Sequence, residues 1–144
     1  AARIDAVTGV LTWTTTEDDG PGSQLVVVRV TQTSGTALSD QYSLGITVLE
    51  QNQAPRLEAL ADWTAEEGET VTFTARGIDP DRPAQSLLYS LGTGAPAEAT
   101  IDPVTGVFTW TIPDDTGAKV LPITVVVTDN GPGGLSGSQT FSVT

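Results

Sequence analysis

Acidic side chains are the residues of this chain best suited to chemistry. Eighteen Asp and Glu stand against six Lys and Arg, giving a formal charge of −12. From residue 56 onward the acids gather in "AEEGE" (Glu66, Glu67, Glu69), "DPD" (Asp79, Asp81), "PDD" (Asp114, Asp115) and "TDN" (Asp129). Near the amino terminus "TEDDG" supplies Glu17, Asp18 and Asp19. Hard carboxylate oxygens in such groups suit calcium, which tolerates irregular geometry. Asp and Pro are also ordinary turn formers, so the same runs read equally as turns.

Other chemistries lack their parts. With no His and no Cys, zinc sites and imidazole acid–base catalysis are excluded. The Ser and Thr hydroxyls have no histidine to activate them, and the sole lysine, Lys119, falls in a turn. A glycosidase-type carboxylate pair needs a cleft with one acid desolvated, and no phosphate-binding glycine motif occurs. The expectation is therefore that the chain is not an enzyme. Cationic residues are too few and too scattered for nucleic acid or an anionic membrane surface. No run approaches the roughly 20 apolar residues of a membrane span. The absence of cysteine leaves the compartment open, and the absence of a signal-peptide pattern means little if the sequence is an internal piece of a longer chain.

These acids are positioned by a repeat. Asp5 and Asp102 are 97 positions apart (102 minus 5), and at that offset "ARIDAVTGVLTWTTTEDDG" lies under "ATIDPVTGVFTWTIPDDTG" without a gap. The register continues, with Val30-Thr31 on Val127-Thr128 and Ile46-Thr47 on Val143-Thr144. Residues 1–49 therefore read as the C-terminal half of a unit, 50–55 as a linker and 56–144 as a complete unit. "TVTFTA", "LPITVVVTD" and "TFSVT" alternate with period two, and "LLYSL" reads as a short buried run. Turn clusters such as "GIDPDRPAQ" and "DNGPGGLSG" separate them. The pattern predicts an all-β sandwich with strands near 56–60, 70–77, 86–91, 98–101, 107–112, 120–128 and 138–144.

Loops of a sandwich meet at its two poles. Asp79, Asp81 and Asp129 are expected at the pole facing the linker, and Glu66 with Asp114 or Asp115 at the far one. The half-unit would leave Ile4, Leu11 or Trp13, Val26, Val28, Val30 and Ile46 against water, a costly exposure. Upstream chain or a neighbouring molecule would have to cover them, or the half would be poorly ordered. Trp13 and Trp110 occupy equivalent strand positions and read as core. Trp63 lies in a polar stretch and is a candidate contact residue.

"IDPDRPAQSLLYSL", "IDPVTGVFTW", "VTDNGPGGLSGSQTFSVT" and the linker "LEQNQAP" together resemble a cadherin-like repeat, of the dystroglycan-type, Ig-like branch found in bacterial surface proteins. The resemblance covers the complete unit and the half-unit before it. It implies seven-stranded Greek-key Ig-like/cadherin-like sandwiches in tandem, with calcium at the junction between them. Matched position by position, the ligands would be Asp79, Asp81 and Asp129, with Glu17, Asp18 or Asp19 from the preceding unit and Glu50 and Asn52 from the linker. Glu66, Asp114 and Asp115 would form a distal site. The sequence departs from the family pattern where Glu50 and Gln53 replace linker aspartates, and where Gln32 stands in the place taken by Asp129 in the second copy.

The function so implied is a structural or adhesive module of a secreted or cell-surface protein, spacing or stiffening an array. Its partners would be adjacent repeats or neighbouring copies, with a surface protein or glycan as further ligand. Two other readings stand beside it. One is a subunit of an extracellular filament or lattice completed by strands from another molecule. The other is a carbohydrate-binding module, which would need a surface row of aromatics.

Overall fold

β-branched residues alternating with polar ones, cut by Gly, Pro and Asp turns, leave the chain little alternative to strands. The computed structural model describes residues 1–144, in two units, Ala1–Gln51 and Asn52–Thr144. Twelve strands and a single 3-10 turn make up its regular structure.

In Asn52–Thr144 the strands are β5 (Arg56–Leu57), β6 (Thr70–Thr74), β7 (Gly77–Ile78), β8 (Leu87–Leu91), β9 (Thr100–Ile101), β10 (Val107–Thr111), β11 (Leu121–Asp129) and β12 (Ser136–Val143). One sheet has the order β6-β10-β9, a second β12-β11-β8, and β5 pairs with β7 as a ribbon. All these pairings are antiparallel. The chain changes sheet between β8 and β9 and again between β10 and β11, as a Greek-key sandwich requires. Trp63 adds an edge: it bridges Val143 in parallel, donating its N–H to Ser142 O and accepting from Thr144 N, both at 2.9 Å.

The two sheets close on one core. Val71, Phe108 and Trp110 from one meet Ile123, Val125, Val127, Phe141 and Val143 from the other, all buried. Phe73, Phe108 and Phe141 pack with ring centroids 5.0–5.4 Å apart, the Phe141 ring nearly perpendicular to both partners. Each such side chain removed from water contributes about 1.5–3 kcal/mol.

Three expectations change. The single strand near 70–77 is two short strands in different sheets. After Thr74 the chain leaves β10, Ala75 donates its N–H to Gly106 O in the β9–β10 turn, and Gly77–Ile78 turns to β5. The unit thus has eight strands by count rather than seven. "LLYSL" is not buried throughout: Leu87, Tyr89 and Leu91 face inward while Leu88 is 53% exposed, because β8 has one face on the core. The strand near 98–101 starts only at Thr100, since Ala99 closes a turn onto Pro96 O.

Ala1–Gln51 repeats the second half of that sandwich. β1 (Arg3–Ile4) pairs with β2 (Leu11–Thr12), and β3 (Gly22–Thr31) with β4 (Ser39–Val48). Subtracting 97 converts one register into the other: Ile101↔Phe108 becomes Ile4↔Leu11, Ile123↔Phe141 becomes Val26↔Leu44, and Thr128↔Ser136 becomes Thr31↔Ser39. Burial is not repeated. Val125 and Val127 are 0% exposed, whereas Val28 is half-buried and Val30 is 68% exposed. Leu11, Trp13, Val26 and Ile46 are half-buried too.

Candidate metal centre

At one end of the complete unit three stretches converge. The first follows β7, where Asp79 Oδ1 accepts the Asp81 N–H at 2.8 Å and folds "DPD" into an Asx turn. That turn places Asp81 inside, 2% exposed. Both Asp81 oxygens accept the backbone N–H of Gln53, at 3.2 and 3.0 Å, and Oδ2 also accepts Gln85 Nε2 at 3.0 Å. The second is the end of β11. Asp129 is 4% exposed, and its Oδ1 accepts the Gly131 and Leu135 N–H groups at 3.0 Å each and Asn52 Nδ2 at 3.1 Å. The third is the entering segment, from which Asn52 also reaches Pro132 O at 3.3 Å. Asn130 Oδ1 accepts the Ser86 N–H at 2.9 Å and ties the first loop to the second.

Three oxygens here are buried and receive no hydrogen bond: Asp79 Oδ2, Asp129 Oδ2 and Gln85 Oε1. A buried carboxylate oxygen without a donor is expensive, and a bound cation is one remedy. The three carboxylates do not all lie within 4.8 Å of one another. Amides of Asn52 and Gln85 join them instead. An all-oxygen set of carboxylates and amide carbonyls fits a hard cation of calcium type. Asn52, Asp79, Asp81 and Asp129 are the chain's own candidates to hold one.

Gln85 was not legible as a member of this set. It carries no charge, and glutamine in a turn region is unremarkable in a sequence. Only folding brings it onto Asp81 and Asn52.

Further candidates belong to the Ala1–Gln51 unit and to the opposite pole of the complete unit. Glu17, Asp18 and Asp19 form the 3-10 turn after β2. Asp19 Oδ2 accepts the Thr16 N–H at 2.8 Å and the Thr16 hydroxyl at 3.1 Å, holding the turn closed. Asp18 is exposed, and Glu17 and Glu50 line one cavity of about 140 Å³ beside Gly20 and Val48. At the opposite pole of the complete unit the acids serve the backbone. Glu67 Oε1 accepts the Gly117 N–H at 2.7 Å, and Glu69 Oε2 the Glu66 N–H at 2.9 Å. Glu66 lines a cavity of about 330 Å³ with Trp110 and Lys119, while Asp115 lines a second of about 360 Å³ and Asp114 sits against Gly68. Glu66, Asp114 and Asp115 do not converge as a set of ligands.

Trp110 is core, 2% exposed. Trp63 stacks on Phe73 at 6.1 Å, lidding the aromatic cluster while remaining 37% exposed.

Paired antiparallel sheets with acidic turns at one end define an Ig-like, cadherin-like sandwich repeat. Residues 54–144 match the family model described as "Putative Ig domain", and the chain belongs to that family. No curated protein matches it in sequence. Solved structures do match in fold. Protocadherin gamma C5 EC1-3 aligns at a TM-score of 0.68 and 17% identity, over 99% of this chain and 51% of that one. Mouse cadherin-23 EC22-24 aligns at 0.65 and 20%, over 99% and 48%. A nucleoside hydrolase-related protein from Saccharophagus degradans, described as associated with carbohydrate metabolism, aligns at 0.52 and 23%, over 64% and 25%. The chain spans about half the length of the cadherin fragments it matches.

Proposed function

We propose that this chain is a structural or adhesive repeat module of a secreted or cell-surface protein, without catalytic activity, whose complete unit holds calcium at the end where the linker enters. The observation that carries the calcium reading is the pair of buried carboxylate oxygens, Asp79 Oδ2 and Asp129 Oδ2, that receive no hydrogen bond. Calcium would supply positive charge there. The chain's own residues shape the place: the Asx turn orients Asp81, the Gly131 and Leu135 N–H groups orient Asp129, and the linker reaches Asp129 through Asn52 and Asp81 through the Gln53 N–H. A filled site would fasten linker to sandwich and so stiffen an array. The family membership and the cadherin folds support the spacing role, and adjacent repeats are its natural partners.

Calorimetric titration of the chelator-stripped chain tests this, with melting curves recorded with and without calcium. At a hundredfold excess over Kd the ion should stabilise the unit by about 2.7 kcal/mol. Asp79→Asn and Asp129→Asn should each remove most of that gain. A folded chain that takes up no calcium would leave these aspartates as turn residues in a metal-free spacer.

A second reading, strand completion by another molecule, is favoured by the unpaired edges and exposed inner face of the Ala1–Gln51 unit, with Val30 68% and Ile4 47% exposed. Light scattering over a concentration series would support it if defined oligomers form.

A further inference from the structure

Gln85 belongs to none of the acidic runs, yet the runs are joined through it. Its Nε2 donates to Asn52 Oδ1 at 2.5 Å and to Asp81 Oδ2 at 3.0 Å. Asn52 passes the connection to Asp129 Oδ1 at 3.1 Å. The other atom of the Gln85 amide, Oε1, is buried and receives nothing. An amide that offers its N–H to two oxygens while its own carbonyl goes unpaired sits as those oxygens require. Asp81 Oδ2 takes both Gln85 Nε2 and the Gln53 N–H, which uses its two lone pairs.

Gly131 makes room for this arrangement. A Cβ there would collide with Gln85 Oε1 and Asn52 Oδ1. Gly131 is outside the left-handed region, so glycine is needed for space and not for conformation. Independently of the amides, Asp129 is 4% exposed with Oδ2 unpaired, which marks the place as built for a positive partner.

We propose that Gln85 is an internal competitor for the cation. Its N–H occupies Asn52 Oδ1 and Asp81 Oδ2, and it must withdraw before those oxygens face an ion. Gln85 therefore holds the metal-free unit together and sets the calcium concentration at which the site fills. This rests on the calcium reading above.

The test uses Gln85→Met, which keeps the side-chain length and removes both donor and acceptor. Gln85→Leu, which likewise lacks donor and acceptor and leaves Asn52 in place, is the second variant. Calcium Kd is measured by calorimetry on the full chain, with melting temperatures in chelator and in saturating calcium. Removing one charge-assisted hydrogen bond from the competing side should tighten Kd about tenfold. The melting temperature in chelator should fall, and the gap between the two melts should widen, for both variants. Weaker binding by Gln85→Met, with the parent binding normally, would overturn the proposal and make Gln85 a ligand through Oε1, leaving the calcium reading intact. Unchanged Kd and melting in chelator would overturn it as well. Binding by the variants when the parent binds too weakly to detect would support it. No binding by parent or variants would sink both readings.

Discussion

Asp5 and Asp102 make the same small structure twice. Each carboxylate Oδ1 accepts two backbone N–H groups, from Val7 and Thr8 at 2.9 and 2.7 Å in the first copy and from Val104 and Thr105 at 3.0 and 2.7 Å in the second. The Thr105 N–H, then the Thr105 hydroxyl and the Val104 N–H, hold Asp102 below the ordinary aspartate value of 3.8; Thr8 and Val7 do the same for Asp5. A depressed value means the fold favours the charged form. Its contribution is therefore complete above 3.8 and is lost as pH falls through the lower folded-state value. Asp102→Ala should melt below the parent near neutral pH, and the difference should shrink below about pH 3.8. Melts recorded down to about pH 2 check this; a difference that persists undiminished would show that the turn does not depend on the charge. Both motifs were readable in the sequence, as "IDAVTG" and "IDPVTG". Gln85 was not, because its role depends on Asp81 and Asn52 arriving from other stretches.

Strand pairs show how local pattern and distant cover divide the work. Gly9 and Gly106 close equivalent turns at φ of 71° and 70°. A Cβ at Gly106 would meet Ala75 O at 2.5 Å and the Tyr89 ring at 3.3 Å, while one at Gly9 meets nothing within 4 Å. Gly9→Ala should therefore cost only the left-handed conformation, about 1–2 kcal/mol. Gly106→Ala should cost measurably more in denaturant titration, since the neighbouring backbone must also shift. Equal costs would mean that Ala75 and Tyr89 press less closely on that turn than described. Val127 and Val30 make the same comparison in a strand. Val127→Ala empties part of a sealed core and should destabilise by about 2 kcal/mol, and Val30→Ala should stay within about 0.5 kcal/mol. The strands themselves were legible from period two. The break between β6 and β7 was not, because "TVTFTA" runs on as a strand and only Gly106 and β5 pull its end away.

For the whole molecule, every buried apolar residue of the core lies between Leu57 and Val143. Asn52–Thr144 expressed alone should therefore fold cooperatively and melt within about 4 °C of the same unit in the full chain, a shift worth about 1 kcal/mol or less. Failure to fold would show that its stability is drawn from the preceding residues. The full chain, carrying the exposed strand runs of Ala1–Gln51, should self-associate with rising concentration where Asn52–Thr144 does not. Sedimentation of the two side by side decides it.

The sequence by itself determined most of the strands, their alternation and the turns, since these depend on neighbours along the chain, and the pairing register recurs at an offset of 97 (102 minus 5). It also showed which residue types could meet a cation. Only the tertiary structure decided which valines are sealed and which face water, and which amide is wedged among the carboxylates. Burial and coordination are made by segments far apart in sequence. Identical local phrases acquire different energies according to what is packed over them.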